Sequence, residues 1–169
     1  MTTHLPPLVV MGVSGSGKST IGSLLGERLG VPFFDGDDFH PPANKAKMAS
    51  GIPLEDRDRA PWLAEIGAAL AASGGKTGSR IIACSALKRS YRNVLRSFAP
   101  DLVFIHLSGQ ASTISSRLNS RAHEYMPSSL LASQLATLEP LGADEAHISV
   151  DILGDPASLV ERIVGQIPG

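Results

Sequence analysis

The chain has 169 residues, of which 43% are hydrophobic and 18% are charged. At about 150 residues per domain, this length predicts a single domain spanning residues 1–169, and the apolar content excludes a disordered chain. The 15 basic and 16 acidic residues leave a net charge of −1, which argues against a polybasic surface for nucleic acid or membranes. The lone cysteine, Cys84, and the absence of a basic segment before the first apolar run predict a cytoplasmic protein.

Apolar runs and helically spaced apolar residues alternate along the chain. The predicted strands are 8–11, 31–34, 80–84, 102–107 and 147–152. The predicted helices are 18–29, 40–50, one capped by Asp56 or Asp58, 88–98, 111–121, 128–138, and a last one that begins at Asp155-Pro156. Strands that alternate with helices predict an α/β fold, in which a parallel sheet has helices on both faces.

A glycine-rich motif, G-x-x-x-x-G-K-[ST], follows the first predicted strand and precedes the first predicted helix, which is the context that a phosphate-binding loop requires. Its residues are Gly12, Val13, Ser14, Gly15, Ser16, Gly17, Lys18 and Ser19, followed by Thr20. Glycines let backbone N–H groups converge on phosphate oxygens, and the helix N-terminus adds partial positive charge. We expect Lys18 to reach the β- and γ-phosphates and Ser19 to bind Mg²⁺.

Two carboxylates, Asp35 and Asp37, follow the second predicted strand. Ligands of open α/β sheets bind beyond the carboxyl ends of strands. A carboxylate there can accept the proton of an attacking hydroxyl, and a second can hold metal-bound water. The two aspartates could equally cap the helix that begins near His40, and the sequence leaves both interpretations open.

Arg117 and Arg121 lie four residues apart on a predicted helix, so they share a face. If that face meets the phosphates, the two arginines form a mobile lid that neutralises charge in the transition state. The alternative is a pair of solvated surface arginines.

Further basic residues crowd the helix after the third strand, namely Lys88, Arg89, Arg92 and Arg96. A solvated helix face explains most of them, and one or two could bind a substrate carboxylate. Cys84, at the end of an apolar strand, is interpreted as a packed core thiol rather than a nucleophile. The five histidines have no metal-ligand spacing, which argues against zinc.

Four blocks of residues between position 10 and about position 151 form a recognisable set. They are residues 11–19; Asp35, Asp37, His40, Pro41, Asn44, 47–51, Pro53, Leu54, Asp56, Asp58, Arg59 and 61–63; residues 84–88 with Tyr91, Arg92, Leu95 and Arg96; and Ser133, Gln134, Leu138, Glu139, Asp144 and Glu145. This set resembles the gluconate kinase family of phosphate-loop (P-loop) small-molecule kinases.

The resemblance implies a three-layer, five-stranded parallel sheet of the P-loop kinase type. It implies transfer of phosphate from ATP, with Mg²⁺, to the C6 hydroxyl of D-gluconate, and a homodimer. Within the single domain it implies a lid at about residues 117–127 and a substrate-binding helical segment at about residues 38–72.

The resemblance also assigns roles to individual residues. It puts Asp37 at the substrate hydroxyl and Asp35 near the metal. It puts ATP on residues 12–20, with Lys18, Asp37 and the lid arginines Arg117 and Arg121 as the catalytic groups. The residues that it puts around the sugar acid are Asp37, His40, Lys47, Arg59, Lys88 and Arg92. The lid departs from the family pattern at residues 123–125, where His123, Glu124 and Tyr125 stand.

Rival functions remain at this point. The nearest is a related kinase for shikimate, a nucleotide or another sugar acid. A nucleotide-dependent switch that hydrolyses ATP without an acceptor belongs to a different class, and a catalytically dead homologue is a third alternative.

Overall fold

A five-stranded parallel sheet forms the centre of the molecule. The computed structural model describes residues 5–13, 15–72, 79–110, 112–114 and 128–167. The strands are β1 (Leu8–Met11), β2 (Phe33–Asp35), β3 (Ile81–Ala83), β4 (Val103–Ser108) and β5 (His147–Asp151). Their order across the sheet is β2-β3-β1-β4-β5, so the strand that carries the glycine-rich motif is the central one.

The strand register brings three chain segments to one edge of the sheet. Val10 of β1 pairs with Ala83 of β3, and Ala83 in turn pairs with Asp35 of β2. Because all three strands run in the same direction, the segments that follow them emerge side by side. This edge therefore brings together the glycine-rich loop, the two aspartates and the loop that follows β3.

The helices have clear start and stop signals. They are α1 (Lys18–Leu29), α2 (Pro42–Ala49), α3 (Asp56–Ala71), α4 (Arg89–Phe98), α5 (Ser128–Thr137) and α6 (Pro156–Gln166), with a 3-10 helix (Gly36–Phe39) after β2. Asp155 caps α6 by accepting a hydrogen bond from Ser158 N at 3.0 Å, as predicted. The cap of α3 differs from the prediction, because Glu55 is its N-cap and Asp58 accepts from Glu55 N at 2.9 Å.

Two hydrophobic clusters lie on opposite faces of the sheet. Alternate strand residues such as Val10 and Ile105 face one cluster, together with apolar residues of α1 and α6. Their neighbours, such as Val9 and Phe104, face the other cluster, which α3 and α4 complete. This alternation confirms the predicted three-layer fold with helices on both faces. No helix among the described residues is both long and apolar enough to cross a membrane.

Candidate active site

The glycine-rich loop folds around the amine of Lys18. Gly17 has a φ of 97°, a left-handed conformation that a residue with a Cβ adopts only at a cost, and α1 begins directly after it. Lys18 Nζ donates hydrogen bonds to Gly12 O at 3.0 Å and to Val13 O at 3.1 Å. Burial lowers the pKa of Lys18, although the nearby Asp37 and Asp35 oppose this shift. The loop thus holds a cation, in partly desolvated surroundings, at the end of the central strand.

The predicted phosphate-binding residues divide into two groups. Gly15, Gly17, Lys18, Ser19 and Thr20 line a cavity at this edge of the sheet. The side chains of Val13 and Ser16 are buried instead, and Ser14 lies outside the described residues. A Cβ on Gly12 would lie 2.7 Å from Ser16 Oγ, so glycine is needed there to let the loop close on itself.

Asp35 caps a short helix and also accepts a hydrogen bond from the start of α1. Its carboxylate accepts a hydrogen bond from Asp37 N at 3.0 Å, which caps the 3-10 helix rather than α2. Its other oxygen accepts from Ser19 Oγ at 3.3 Å, which joins the end of β2 to the start of α1. A carboxylate beside a hydroxyl is the hard-oxygen donor set that Mg²⁺ prefers. The described residues hold no cluster of three or more His, Cys, Asp or Glu side chains that could bind a metal ion.

Asp37 carries the carboxylate that is available for chemistry. It lines the cavity and its side chain takes no part in the cap of the 3-10 helix. Partial loss of water around the carboxyl group, reinforced by the charge of Asp35, raises the pKa of Asp37. A raised pKa makes the carboxylate a stronger proton acceptor.

The cavity has a volume of about 650 Å³, within the usual range for small-molecule sites. Its walls come from the predicted substrate-binding segment, from the end of β3 with the loop that follows it, and from α5. The lining residues beyond the loop and the aspartates are His40, Leu54, Arg59, Trp62, Ala83, Cys84, Ser85 and Gln134. Leu54, Ser85 and Gln134 all belong to the blocks that carry the family resemblance, which assigned them no role.

Cys84 is buried and belongs to the core cluster beneath α3 and α4, as well as to the cavity wall. Burial raises the pKa of its thiol to about 12, so the sulfur is not a thiolate at neutral pH. The interpretation of Cys84 as a packed core thiol is therefore confirmed.

Arg59 is held at the cavity by an aromatic residue. Its Nη1 donates to Tyr91 Oη at 3.2 Å, and the guanidinium lies 5.7 Å from the centre of the Tyr91 ring. Tyr91 in turn donates its hydroxyl proton to Asp56 Oδ1 at 2.5 Å. This arrangement fixes the side chain of a permanent cation on the cavity wall.

Lys47 and Lys88 do not line the cavity. Lys47 Nζ forms an ion pair with Asp58 at 2.8 Å, and Lys88 Nζ forms one with Asp56 at 3.3 Å. Both side chains are about two-thirds buried, and each forms an ion pair with an acid on α3. They support the wall that carries Arg59.

Arg92 does not line the cavity, which argues against the predicted contact with the sugar acid. Its side chain is fully buried and donates to Glu145 at 2.7 Å and to the carbonyls of Ala86 and Leu87 at 2.9 and 3.1 Å. Burial alone would raise the pKa of Glu145, but hydrogen bonds from Arg92 and Arg96 lower it to about 2. The solvated-face alternative is also wrong for Arg92, because its guanidinium bridges the β3–α4 loop and the segment before β5.

Some predicted residues cannot be assigned a position. Arg117 and Arg121, and the lid segment at about residues 117–127 with His123, Glu124 and Tyr125, lie outside the described residues. The predicted helix 111–121 is represented by a helical stretch at residues 112–114.

Comparison with known proteins agrees with this geometry. The shikimate kinase family model matches residues 14–167. The chain is 46% identical to a gluconokinase from Gluconobacter oxydans, over 93% of this chain and 88% of that protein. It is 44% identical to the thermosensitive gluconokinase of Escherichia coli, over 91% of this chain and 83% of that protein. The crystal structure of a gluconokinase from Sinorhizobium meliloti superposes with a TM-score of 0.86 at 46% identity, covering 95% of this chain and 90% of that one.

The parallel sheet, the phosphate loop on its central strand and the aspartates beside it define a P-loop kinase that acts on a small molecule. Within that class the chain belongs to the gluconokinase family, as the identities of 44% and 46% over nearly its whole length show.

Proposed function

We propose that this protein transfers the γ-phosphoryl group of ATP to the C6 hydroxyl of D-gluconate, giving 6-phosphogluconate and ADP. The observation that carries the proposal is the identity of 44–46% to gluconokinases over more than nine-tenths of the chain. The cavity supports it, because a phosphate loop and a carboxylate with a raised pKa line the same space.

ATP binds with its phosphates on residues 12–20. Backbone N–H groups of the loop and the N-terminus of α1 meet the phosphate oxygens. Lys18 leaves the carbonyls of Gly12 and Val13, to which it is bonded at 3.0 and 3.1 Å, and takes phosphate oxygens as partners. Its positive charge then stabilises the negative charge that spreads over the transferred group.

Asp37 is the general base in this proposal. It orients the C6 hydroxyl and accepts its proton as the oxygen attacks the γ-phosphorus. The raised pKa of Asp37 favours this role, since a carboxylate with a higher pKa is a stronger proton acceptor in the transition state.

Ser19 and Asp35 would hold Mg²⁺, and their oxygens lie 3.3 Å apart. When bound there, the ion would neutralise part of the negative charge of the ATP phosphates. The hydrogen bond from Asp37 N to Asp35 at 3.0 Å ties the metal-binding carboxylate to the base, so both keep a fixed relation to the phosphate loop.

Residues 38–72 form the substrate wall in this proposal, and Arg59 binds the gluconate carboxylate. The support is that Arg59 lines the cavity and is aligned by Tyr91, whereas Lys47 and Lys88 lie outside the lining. Arg59 also lies farther from its acid, at 3.9 Å from Asp56, than Lys47 from Asp58 at 2.8 Å or Lys88 from Asp56 at 3.3 Å. A planar guanidinium suits a carboxylate, with which it forms two parallel hydrogen bonds.

The remaining parts of the proposal rest on the family resemblance and the sequence. Arg117 and Arg121 act as lid arginines that contact the phosphates, and the enzyme is a homodimer. The cytoplasm remains the predicted location, and nucleic acid and membranes remain excluded as predicted partners on the basis of the net charge of −1.

An ADP-release assay with Mg²⁺ and ATP tests the function against its rivals. The acceptors are gluconate, shikimate, a nucleoside monophosphate and none. Turnover that depends on gluconate is expected. Turnover with another acceptor alone would retain the phosphate site and reject the assigned substrate, and equal turnover without acceptor would favour the nucleotide-dependent switch.

A further inference from the structure

A set of buried polar contacts adjoins the substrate wall. His40 lines the cavity and is only 7% exposed, and Asn44, one turn along the chain, is 3% exposed. Trp62 of α3 packs against the histidine. None of the roles proposed above uses Asn44, which is an unusual residue to bury fully beside a ligand cavity.

The hydrogen bonds of Asn44 fix the orientation of its side-chain amide. Asn44 Nδ2 lies 2.8 Å from the main-chain carbonyl oxygen of Asp58. A carbonyl oxygen can only accept, so the atom facing it must be the amide nitrogen and not the amide oxygen. The same nitrogen lies 3.1 Å from His40 Nδ1.

This contact determines where the proton of His40 lies. An amide NH₂ group has donors and no acceptor, so His40 Nδ1 must accept the hydrogen bond and carries no proton. The proton of the neutral ring is therefore on Nε2. An imidazolium would set its Nδ1–H against the Asn44 NH₂ group, so the contact also disfavours the charged form.

Stacking against Trp62 fixes the plane of the His40 ring, in addition to the hydrogen bond at its Nδ1 atom. His40 and Trp62 stack with ring centres 4.2 Å apart and an angle of 11° between the planes. Trp62 is itself anchored, because its Nε1 donates to Gly36 O at 2.7 Å. Because Nδ1 accepts a hydrogen bond from Asn44, the Nε2–H group is the polar group of this ring that can donate a hydrogen bond to a ligand. Burial lowers the pKa of His40, in agreement with a neutral ring.

We propose that Asn44 is a positioning residue that holds His40 as a neutral Nε2–H donor to a hydroxyl oxygen of the substrate chain. The inference rests on the proposed function for the identity of the substrate. A ring that already carries its proton on Nε2 cannot accept another proton there. His40 therefore contributes to substrate recognition, while Asp37 acts as the base. A neutral donor suits an uncharged hydroxyl, whereas the Arg59 cation suits the carboxylate.

Nitrogen-15 NMR of the full chain with labelled histidine tests the tautomer directly. The His40 signals are those that vanish in His40→Gln. At neutral pH we expect Nδ1 to resonate as an unprotonated ring nitrogen and Nε2 as a protonated one. In Asn44→Leu, which removes the amide donor, the His40 signals should move toward a mixture of tautomers while those of the other histidines stay. A wild-type His40 protonated on Nδ1, or on both nitrogens, would overturn the inference.

Two matched variants test the contact with the substrate. The amide of His40→Gln can put an N–H near the position of Nε2, whereas that of His40→Asn reaches only the position of Nδ1. We expect the KM for gluconate to rise about tenfold more in His40→Asn than in His40→Gln, with the KM for ATP alike in both. Equal effects on the KM for gluconate in variants with equal melting temperatures would contradict the donor role.

The outcomes separate this inference from the proposed function. A wild-type enzyme that does not phosphorylate gluconate, yet gives the Nε2–H spectrum, would reject the substrate and retain the role of Asn44. Normal turnover of gluconate with the opposite tautomer would reject the inference and retain the function.

Discussion

Two groups of charged residues in this protein differ in what surrounds them. At the edge of the sheet, Lys18 and Asp37 line an open cavity, and within the described part of the chain Lys18 donates hydrogen bonds to two carbonyls of its own loop. On the other side of the β3–α4 loop, Arg92 and Glu145 are bonded to each other and are 0% and 2% exposed. The difference teaches that a charge near the end of a strand indicates a ligand site where it lines a cavity, and not where it is buried against an opposite charge.

The largest effect that separates the two groups is expected from Asp37→Asn. The amide keeps the shape of the side chain but cannot accept the proton, so turnover should fall by roughly a hundredfold to ten-thousandfold while ATP still binds. Steady-state rates and calorimetric binding of an ATP analogue measure the two effects. The matched control is Asp38→Asn, which changes a neighbouring exposed carboxylate and should retain turnover. Near-normal turnover of Asp37→Asn would remove Asp37 from the mechanism.

The buried pair should respond in the opposite way. Glu145→Gln leaves the Arg92 guanidinium buried without its counter-charge, which costs about 3–5 kcal/mol of the free energy of unfolding. Chemical denaturation measures this loss. The KM values of the fraction that remains folded should stay near those of the wild type, and a large specific rise in the KM for gluconate would instead return Arg92 to the substrate site.

These two regions also show how far the sequence could be interpreted. The phosphate loop was predictable because its spacing, strand and helix all lie within one short segment. Asp37 was predictable in position but not in role, since a carboxylate after a strand can cap a helix or bind a ligand, and Asp35 in fact caps a 3-10 helix. The role of Arg92 was not predictable, because its partner Glu145 is 53 residues away in sequence.

Arg59 allows a more direct comparison with Arg92, because Arg59 is only partly buried and lines the cavity, whereas Arg92 is fully buried and does not. Arg59→Met should raise the KM for gluconate roughly tenfold to a hundredfold, the range expected for lost hydrogen bonds to a charged group, and leave the KM for ATP unchanged. Arg57→Met is the control, since Arg57 is exposed on the same helix and pairs only with the exposed Glu55 in the described structure. A similar KM in both variants would reassign the carboxylate site.

The free energy of unfolding should depend on pH through the ionisation of Glu145. Its pKa of about 2 lies below the ordinary value of 4.5, so its ion pairs contribute fully above pH 4.5 and are lost as the pH falls toward 2. The difference in unfolding free energy between the wild type and Glu145→Gln should therefore stay constant from neutral pH to about pH 4.5 and become smaller as the pH falls from 4.5 toward 2. A difference that stays constant through this range would show that the ionisation of Glu145 does not carry its effect.

The smallest effect is expected at the surface. Arg28 and Glu161 form an ion pair at 2.8 Å between α1 and α6, but their side chains are 50% and 60% exposed. Glu161→Gln should change the free energy of unfolding by less than about 1 kcal/mol. A loss as large as that of Glu145→Gln would mean that burial does not explain the difference in stability contribution between the two ion pairs.

The position of the phosphoryl group in the product tests the central claim most directly. The wild-type enzyme is incubated with Mg²⁺, ATP and gluconate, and correlation of phosphorus-31 with the proton signals of the product identifies the esterified carbon. The account predicts a phosphate ester on C6 and one ADP for each ester formed. An ester on another carbon, or inorganic phosphate with unchanged gluconate, would contradict it.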